Sequence, residues 1–349
     1  MTKSEPATGY KSFLIVDEFL SSFIGTRALK TAFELGLIDR LAARKSGSVD
    51  ALARAIGIDP PGAALLFGLL RANGVIQTGR GNVRFTARFE AALKFRDLLE
   101  LKMDYAGFAV TDFADHLTSM VRDEAQYMRD AAVFRMYDYE KCLTPSRENY
   151  FHTRRWMQIT STLTRYEAAA VFAHYDLSRH RSMLDVGGNS GEFSLQCCTE
   201  NPNLQATVFD LPLVCEIGLE HTLNHPAGPR VAFQPGDLRA ELLPVVHDLI
   251  SFKSVLHDWP LDDVRRFLKK AVGALEIGGT LMIFERLAFD FGKQTPPFAL
   301  LPAMLFARSY RYAEDYVSIL QTLGLTDIQV TSVPLDSEYC LITAVVRAD

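Results

Sequence analysis

No apolar run in the sequence approaches the roughly 20 residues that cross a bilayer. No two cysteines are spaced Cys-x-x-Cys. The five cysteines, Cys142, Cys197, Cys198, Cys215 and Cys340, are an odd number, which suits a disulfide framework poorly. Reduced, buried thiols in a cytoplasmic protein are the expectation. A basic excess is missing too: the net charge of -5 argues against a chain built to hold nucleic acid or an anionic membrane. The opening "MTKSEPATGY" lacks the charged-then-apolar order of a secretory signal. Internal repeats and low-complexity segments are absent, and no metal site is expected.

What is present is globular: 349 residues, 48% hydrophobic and 23% charged, too long for one ordinary core. Three regions are expected: residues 1–100 as a dimerisation domain, 101–180 as a helical linker contributing to a substrate pocket, and 181–349 as the catalytic domain. Phe13, Val16, Phe19, Leu20, Phe23, Leu29, Phe33 and Leu37 recur at helical spacing over a wide arc. Such breadth suggests burial against a second subunit, hence a homodimer. The stretch from Ser48 to Phe89 reads as a helix capped by Ser48, a turn at Asp59-Pro60-Pro61, a second helix ending at Asn73-Gly74, and a hairpin turning at Gly79–Asn82. That order is a winged helix. A DNA-reading winged helix needs polar groups on the outer face of its second helix. Here that helix is "GAALLFGLLRANG", and only the wing carries Arg80, Arg84 and Arg88. Packing or dimerisation is the expected role, and a DNA-binding regulator the remote one.

Past residue 182 the period changes. "SMLDVGG", "QATVFDLP", "RVAFQPGD", "DLISFKSVLH" and "TLMIFERLAF" are short apolar strands separated by helical stretches, the mark of a parallel, doubly wound sheet. "DIQVTSVPL" and "YCLITAVVRA" add an antiparallel edge. The expected fold class is α/β, a seven-stranded Rossmann-like sheet with an N-terminal all-helical winged-helix dimerisation domain.

In "LDVGGNSG", Asp185 closes the first strand, and Gly187 and Gly188 make a turn where backbone can approach a ligand. The Gly-Gly-x-x-Gly order misses the pyrophosphate register of dinucleotide folds. Asp210 ends the second strand, where it can accept the two hydroxyls of a ribose. Asp237 ends the third, where it can accept an adenine amine, and Lys253 lies on the fourth. Acceptors at successive carboxyl ends of such a sheet describe an adenosine without a required phosphate. S-adenosylmethionine fits that description.

The stretches "LDVGGNSG", "FDLP", "GDL", "FKSVLHDWPLDD" and "IGGTLMIFE" resemble those of the S-adenosylmethionine-dependent O-methyltransferases of the caffeate and antibiotic-tailoring type. With the winged helix, the resemblance covers nearly the whole chain and implies a class I methyltransferase sheet and a dimer joined by its N-terminal domain. The cofactor set it implies is Ser161, Asp185, Gly187, Gly188, Asp210, Leu211, Asp237, Leu238 and Lys253. His257 follows the fourth strand and Glu285 ends the fifth, and neighbouring strands lie about 4.8 Å apart. A carboxylate on one ring nitrogen leaves the other free to accept a proton, so this pair is a general base with its orienting partner.

Two departures shape the substrate expectation. The "RSYRY" stretch places Tyr310 where the family carries a second glutamate, and "ENYFHTRRWMQITS" brings Asn149, Thr153, Arg154 and Arg155 where relatives have apolar walls. Arg308 and Arg311 lie on the other flank. The expected substrate set is Tyr139, Arg154, Arg155, Trp156, Met157, Thr160, Met304, Arg308 and Tyr310. Such a pocket suits a small anion, as in the sulfur-methylating branch of the family that acts in dimethylsulfoniopropionate synthesis. The first expectation is therefore S-methylation of a carboxylate-bearing thioether of the methylthio-hydroxybutyrate type. The alternative is O-methylation of a phenolic or polyketide metabolite with His257 as base.

Overall fold

The computed structural model describes residues 8–79, 81–292 and 296–347. Contacts divide the chain into two compact units. One comprises Met1–Tyr10, Glu124–Asp290 and Phe306–Asp349, the other Lys11–Asp123 and Phe291–Leu305. The boundary expected at residue 100 therefore falls inside the long helix Arg96–Arg122, which stays whole in the N-terminal unit.

In that unit, Ser48 caps the helix Val49–Ile56 by accepting from Ala51 N, and Asp59 caps Pro60–Ala72 by accepting from Gly62 N. The two helices are bent by 111° at the intervening turn, the angle of a helix-turn-helix. Strands β2 (Ile76–Gly79) and β3 (Asn82–Phe85) form the hairpin. Arg80, at its turn, lies outside the described residues. A third strand, β1 (Gly47–Ser48), pairs with β3, so the region is not all-helical. Phe13, Val16, Phe19, Leu20, Leu29 and Leu37 are buried within the chain itself, while Phe23 is exposed. Most of the wide apolar arc is thus satisfied without a partner.

The larger unit is built on a seven-stranded sheet: β4 (Ser182–Val186), β5 (Gln205–Asp210), β6 (Val231–Pro235), β7 (His247–Lys253), β8 (Leu275–Arg286), β9 (Thr326–Pro334) and β10 (Glu338–Val345). Its order is β6-β5-β4-β7-β8-β10-β9. The first five strands run parallel and β10 is antiparallel to both its neighbours. Alternation of side chains sends Leu184, Ile250, Phe252 and Ile283 to one face, packed on Val264, Phe267 and Leu268 of the helix Leu261–Ala274. Met183, Leu249, Met282 and Phe284 go to the other, with Phe193 and with Ala168 and Val171 of the helix Arg147–Phe172. The chain winds outward from β4 to β6, then returns to place β7 on the far side of β4. That reversal opens a crevice at the carboxyl ends of β4 and β7, the usual ligand position in such sheets.

Candidate active site

The turn after β4 is shaped by glycine. Gly187 has φ +68°, and a Cβ there would lie 2.8 Å from Val255, so the turn packs against the segment after β7. Gly188 sits over Asp185, whose carboxylate a Cβ would meet at 2.6 Å. Asp185 is buried: its oxygens accept from Ser251 Oγ at 2.7 Å and Ser194 Oγ at 2.9 Å, and burial pushes it up to about 6. It props the turn from beneath. Asp210, at the end of β5, accepts Asn189 N through Oδ2 and Leu211 N through Oδ1, and burial lifts it to about 6 as well. With one such bond on each oxygen, both retain lone pairs for further donors. Ser161 donates to the Met157 carbonyl and lies 2.6 Å from Ser190 Oγ, joining the helix Arg147–Phe172 to the glycine turn.

Two of the expected cofactor groups, one acceptor and one donor, are engaged elsewhere. The Asp237 carboxylate, just past β6, takes Arg239 Nε at 3.0 Å and Arg239 N at 2.8 Å; Arg239 also pairs with Glu140. Lys253 is bound at 2.7 Å to Glu167, whose second oxygen accepts from Tyr339. Leu238 packs against the sheet core.

At the end of β7, Ser254 adopts φ +55°, a left-handed conformation that costs a non-glycine residue about 1 kcal/mol. The turn aims Val255 N and Leu256 N at Glu285 Oε1, at 2.8 and 2.7 Å. Glu285 is 0% exposed, and its Oε2 lies 2.8 Å from His257 Nδ1. Three donors thus fix one carboxylate, and the carboxylate fixes the imidazole. Burial pulls His257 down, but Asp258 and Glu285 outweigh it and raise it to about 9. Nε2 stands 3.4 Å from Asp258 Oδ1, beyond a good hydrogen bond. Asp258 is itself held by Tyr139, which donates at 2.7 Å.

Aromatic rings surround this pair. Tyr310 lies 5.2 Å from the imidazole, Tyr139 is stacked on Trp259 at 6.1 Å, and Trp156 meets Tyr137 and Tyr139 at 5.9 and 5.6 Å. Met157 and Leu211 belong to the same cluster. The Thr160 hydroxyl bonds back to the Trp156 and Met157 carbonyls.

The expected anion contacts do not converge. The Arg154 side chain is 49% exposed, bonds Tyr150 and faces Glu220; Arg155 is exposed, and Arg308 pairs with Glu124 at 3.5 Å. Arg311 donates to the Leu256 and Trp259 carbonyls, bracing the turn that carries His257. Met304 lies in the other unit. Arg154→Ala and Arg155→Ala are therefore expected to leave the acceptor KM within about twofold; steady-state kinetics on each variant checks this. Asp258 escaped the sequence expectations although it is part of the "HDW" stretch.

Residues 115–326 match the family model for the O-methyltransferase domain, which spans more than half of the chain. The chain is 30% identical over 312 residues to 3-hydroxy-5-methyl-1-naphthoate 3-O-methyltransferase of Streptomyces sahachiroi, covering 87% of each. It is 26% identical over 341 residues to acetylserotonin O-methyltransferase of Bos taurus, covering 93% of this chain and 95% of that one. The solved structure of human N-acetylserotonin methyltransferase in complex with SAM has the same fold, with a TM-score of 0.71, 22% identity and coverage of 99% and 100%. The chain belongs to the O-methyltransferase domain family.

Proposed function

We propose that the protein methylates a hydroxyl oxygen of a small aromatic metabolite, using S-adenosylmethionine as donor. The carrying observation is His257 Nδ1 held at 2.8 Å by the wholly buried Glu285. S-adenosylmethionine, when bound, supplies an activated methyl group on a sulfonium. The residues around the crevice suit it. Asp210 keeps lone pairs for ribose hydroxyls, Gly187 and Gly188 leave no side chain between backbone and ligand, and Ser161 and Ser190 offer hydroxyls beside the turn.

The Nδ1–H of His257 donates to Glu285, so Nε2 is the nitrogen that accepts the hydroxyl proton. Glu285 then stabilises the imidazolium, as the acid of a triad does. The aromatic wall of Tyr139, Trp156, Trp259 and Tyr310 favours a flat acceptor and excludes water. The thioether expectation gives way for two reasons. The arginines it needed are exposed or bound to other groups. A thioether also has no proton to release, which leaves the His257–Glu285 pair without purpose. Both relatives named above are O-methyltransferases, one of a hydroxynaphthoate. A turnover screen tests this: hydroxynaphthoates, N-acetylserotonin and catechols are expected to give S-adenosylhomocysteine, and hydroxy-acid thioethers none. Turnover with the thioethers alone would overturn the proposal.

The N-terminal unit is proposed to join two copies of the chain. Phe23, Ile24, Leu65 and Val121 are large apolar side chains it leaves exposed. Light scattering is expected to give twice the chain mass at micromolar concentration, and a monomer would refute this. The regulator reading gains no support. The helix Pro60–Ala72 buries Ala63, Leu66, Phe67 and Leu70, and Arg71 is its one basic residue. The five buried free thiols support a reducing, cytoplasmic setting.

A further inference from the structure

Arg286 directly follows Glu285 at the end of β8, and nothing above gives it a part in the reaction. Its side chain is only 11% exposed. It donates to Asp336 Oδ1 at 2.9 Å and to Ser337 Oγ, in the turn between β9 and β10. The guanidinium carbon lies 4.7 Å from the Tyr339 ring centroid and 5.9 Å from that of Tyr310. Tyr310 in turn stands 5.2 Å from the His257 imidazole and meets Phe289 in a T-shaped contact at 5.6 Å. Ala288 N donates to the Arg311 carbonyl, so the backbone beside Tyr310 is tied to the same strand end.

From this arrangement we infer that Arg286 is a positioning residue for the methyl transfer: it holds the Tyr310 ring against His257 and opposes the two carboxylates that flank the imidazole. The ring is held by the Arg286 cation and by Phe289, which fixes the wall of the acceptor site next to the base. The electrostatic half follows from the groups that face His257. Asp258 on its own turn and Glu285 on β8 are negative. Arg286 on β8 is positive, as is Arg311, whose guanidinium sits on the carbonyls of Leu256 and Trp259. Tyr310 and Tyr139 are neutral neighbours, Tyr139 acting through Asp258. Burial, the largest influence on His257, lowers it; Asp258 and Glu285 raise it, and Arg286 lowers it further. Without Arg286 the two carboxylates would hold the imidazole protonated to still higher pH and leave less of it as a base. Asp336 partly offsets the cation and thereby sets how much of its charge the imidazole feels.

The test is a histidine titration in the full chain labelled at histidine Cε1, followed by NMR, with the His257 signal identified by its loss in His257→Gln. Arg286→Met is expected to raise the His257 midpoint by about one pH unit, a tenfold gain in proton affinity. Arg286→Lys keeps the charge and is expected to restore most of the wild-type midpoint. Asp336→Asn leaves the cation less neutralised and is expected to lower it. If Arg286→Met does not fold, Asp336→Asn decides: a lowered midpoint supports the inference and an unchanged one overturns it. A midpoint unmoved in every variant, even with lost thermal stability, would reduce Arg286 to a tie between β8 and the β9–β10 turn. The inference rests on His257 being the base for its catalytic meaning. The titration reads the imidazole directly, so a His257→Ala variant that retained turnover would refute the base and leave the measured shift standing.

Discussion

Replacing His257 with alanine is expected to lower turnover on a hydroxylated arene about 10²–10⁴-fold, the usual loss when a positioned base is removed. His257→Gln should fare no better, because an amide cannot take the proton. Cofactor affinity should change little in either variant, since Asp210 and the glycine turn carry that interaction in the proposed site. The pH profile supplies a second check. The base acts as neutral imidazole, and its pKa is raised to about 9 by Asp258 and Glu285 against the pull of burial. The neutral fraction therefore grows as pH rises through that value, so kcat/KM should climb through neutrality and level only near pH 9. An ordinary histidine would place the limb near 6.5. Asp258→Asn removes one of the two raising charges and should move the limb to lower pH.

Asp210→Ala is expected to weaken S-adenosylmethionine binding about 30- to 1,000-fold. The loss of two hydrogen bonds from a carboxylate in a partly buried site corresponds to about 2–4 kcal/mol. Calorimetry on the variant measures it directly, and unchanged affinity would remove Asp210 from the site. The sign of the pH dependence follows from the raised pKa of about 6 that burial gives this carboxylate. Above that value it is ionised and accepts both ribose hydroxyls; as pH falls through 6 it is protonated and loses acceptor capacity. Wild-type affinity should therefore fall between pH 7 and pH 5, and the variant's should not.

The sheet was legible because each parallel strand carries a short apolar run, and because Gly187 stands where the turn needs φ +68°. The His257–Glu285 pair was legible for a related reason: two strands that neighbour in a doubly wound sheet bring their carboxyl ends together. What the sequence hid depends on partners far along the chain. Lys253 looks free until Glu167, on the long helix before the sheet, is seen to hold it. Arg311 looks like an anion contact until the bridge between Leu287 and its own backbone turns its guanidinium onto the Leu256 and Trp259 carbonyls. Arg154 and Arg155 sit on the outer face of their helix, and nothing in "FHTRRWMQITS" says which face meets the crevice. The thioether expectation rested on those arginines, and it loses that support with them.

The reaction proposed for the protein is methyl transfer to a hydroxyl oxygen with His257 as the base. Its most direct test is the fate of an isotope-labelled methyl group from S-adenosylmethionine, offered with hydroxynaphthoates and with hydroxy-acid thioethers to the wild-type chain and to His257→Ala. Label is expected on an aryl oxygen with the wild type, nearly none with His257→Ala, and none on sulfur with either. Label on sulfur, or transfer to oxygen undiminished in His257→Ala, would contradict it.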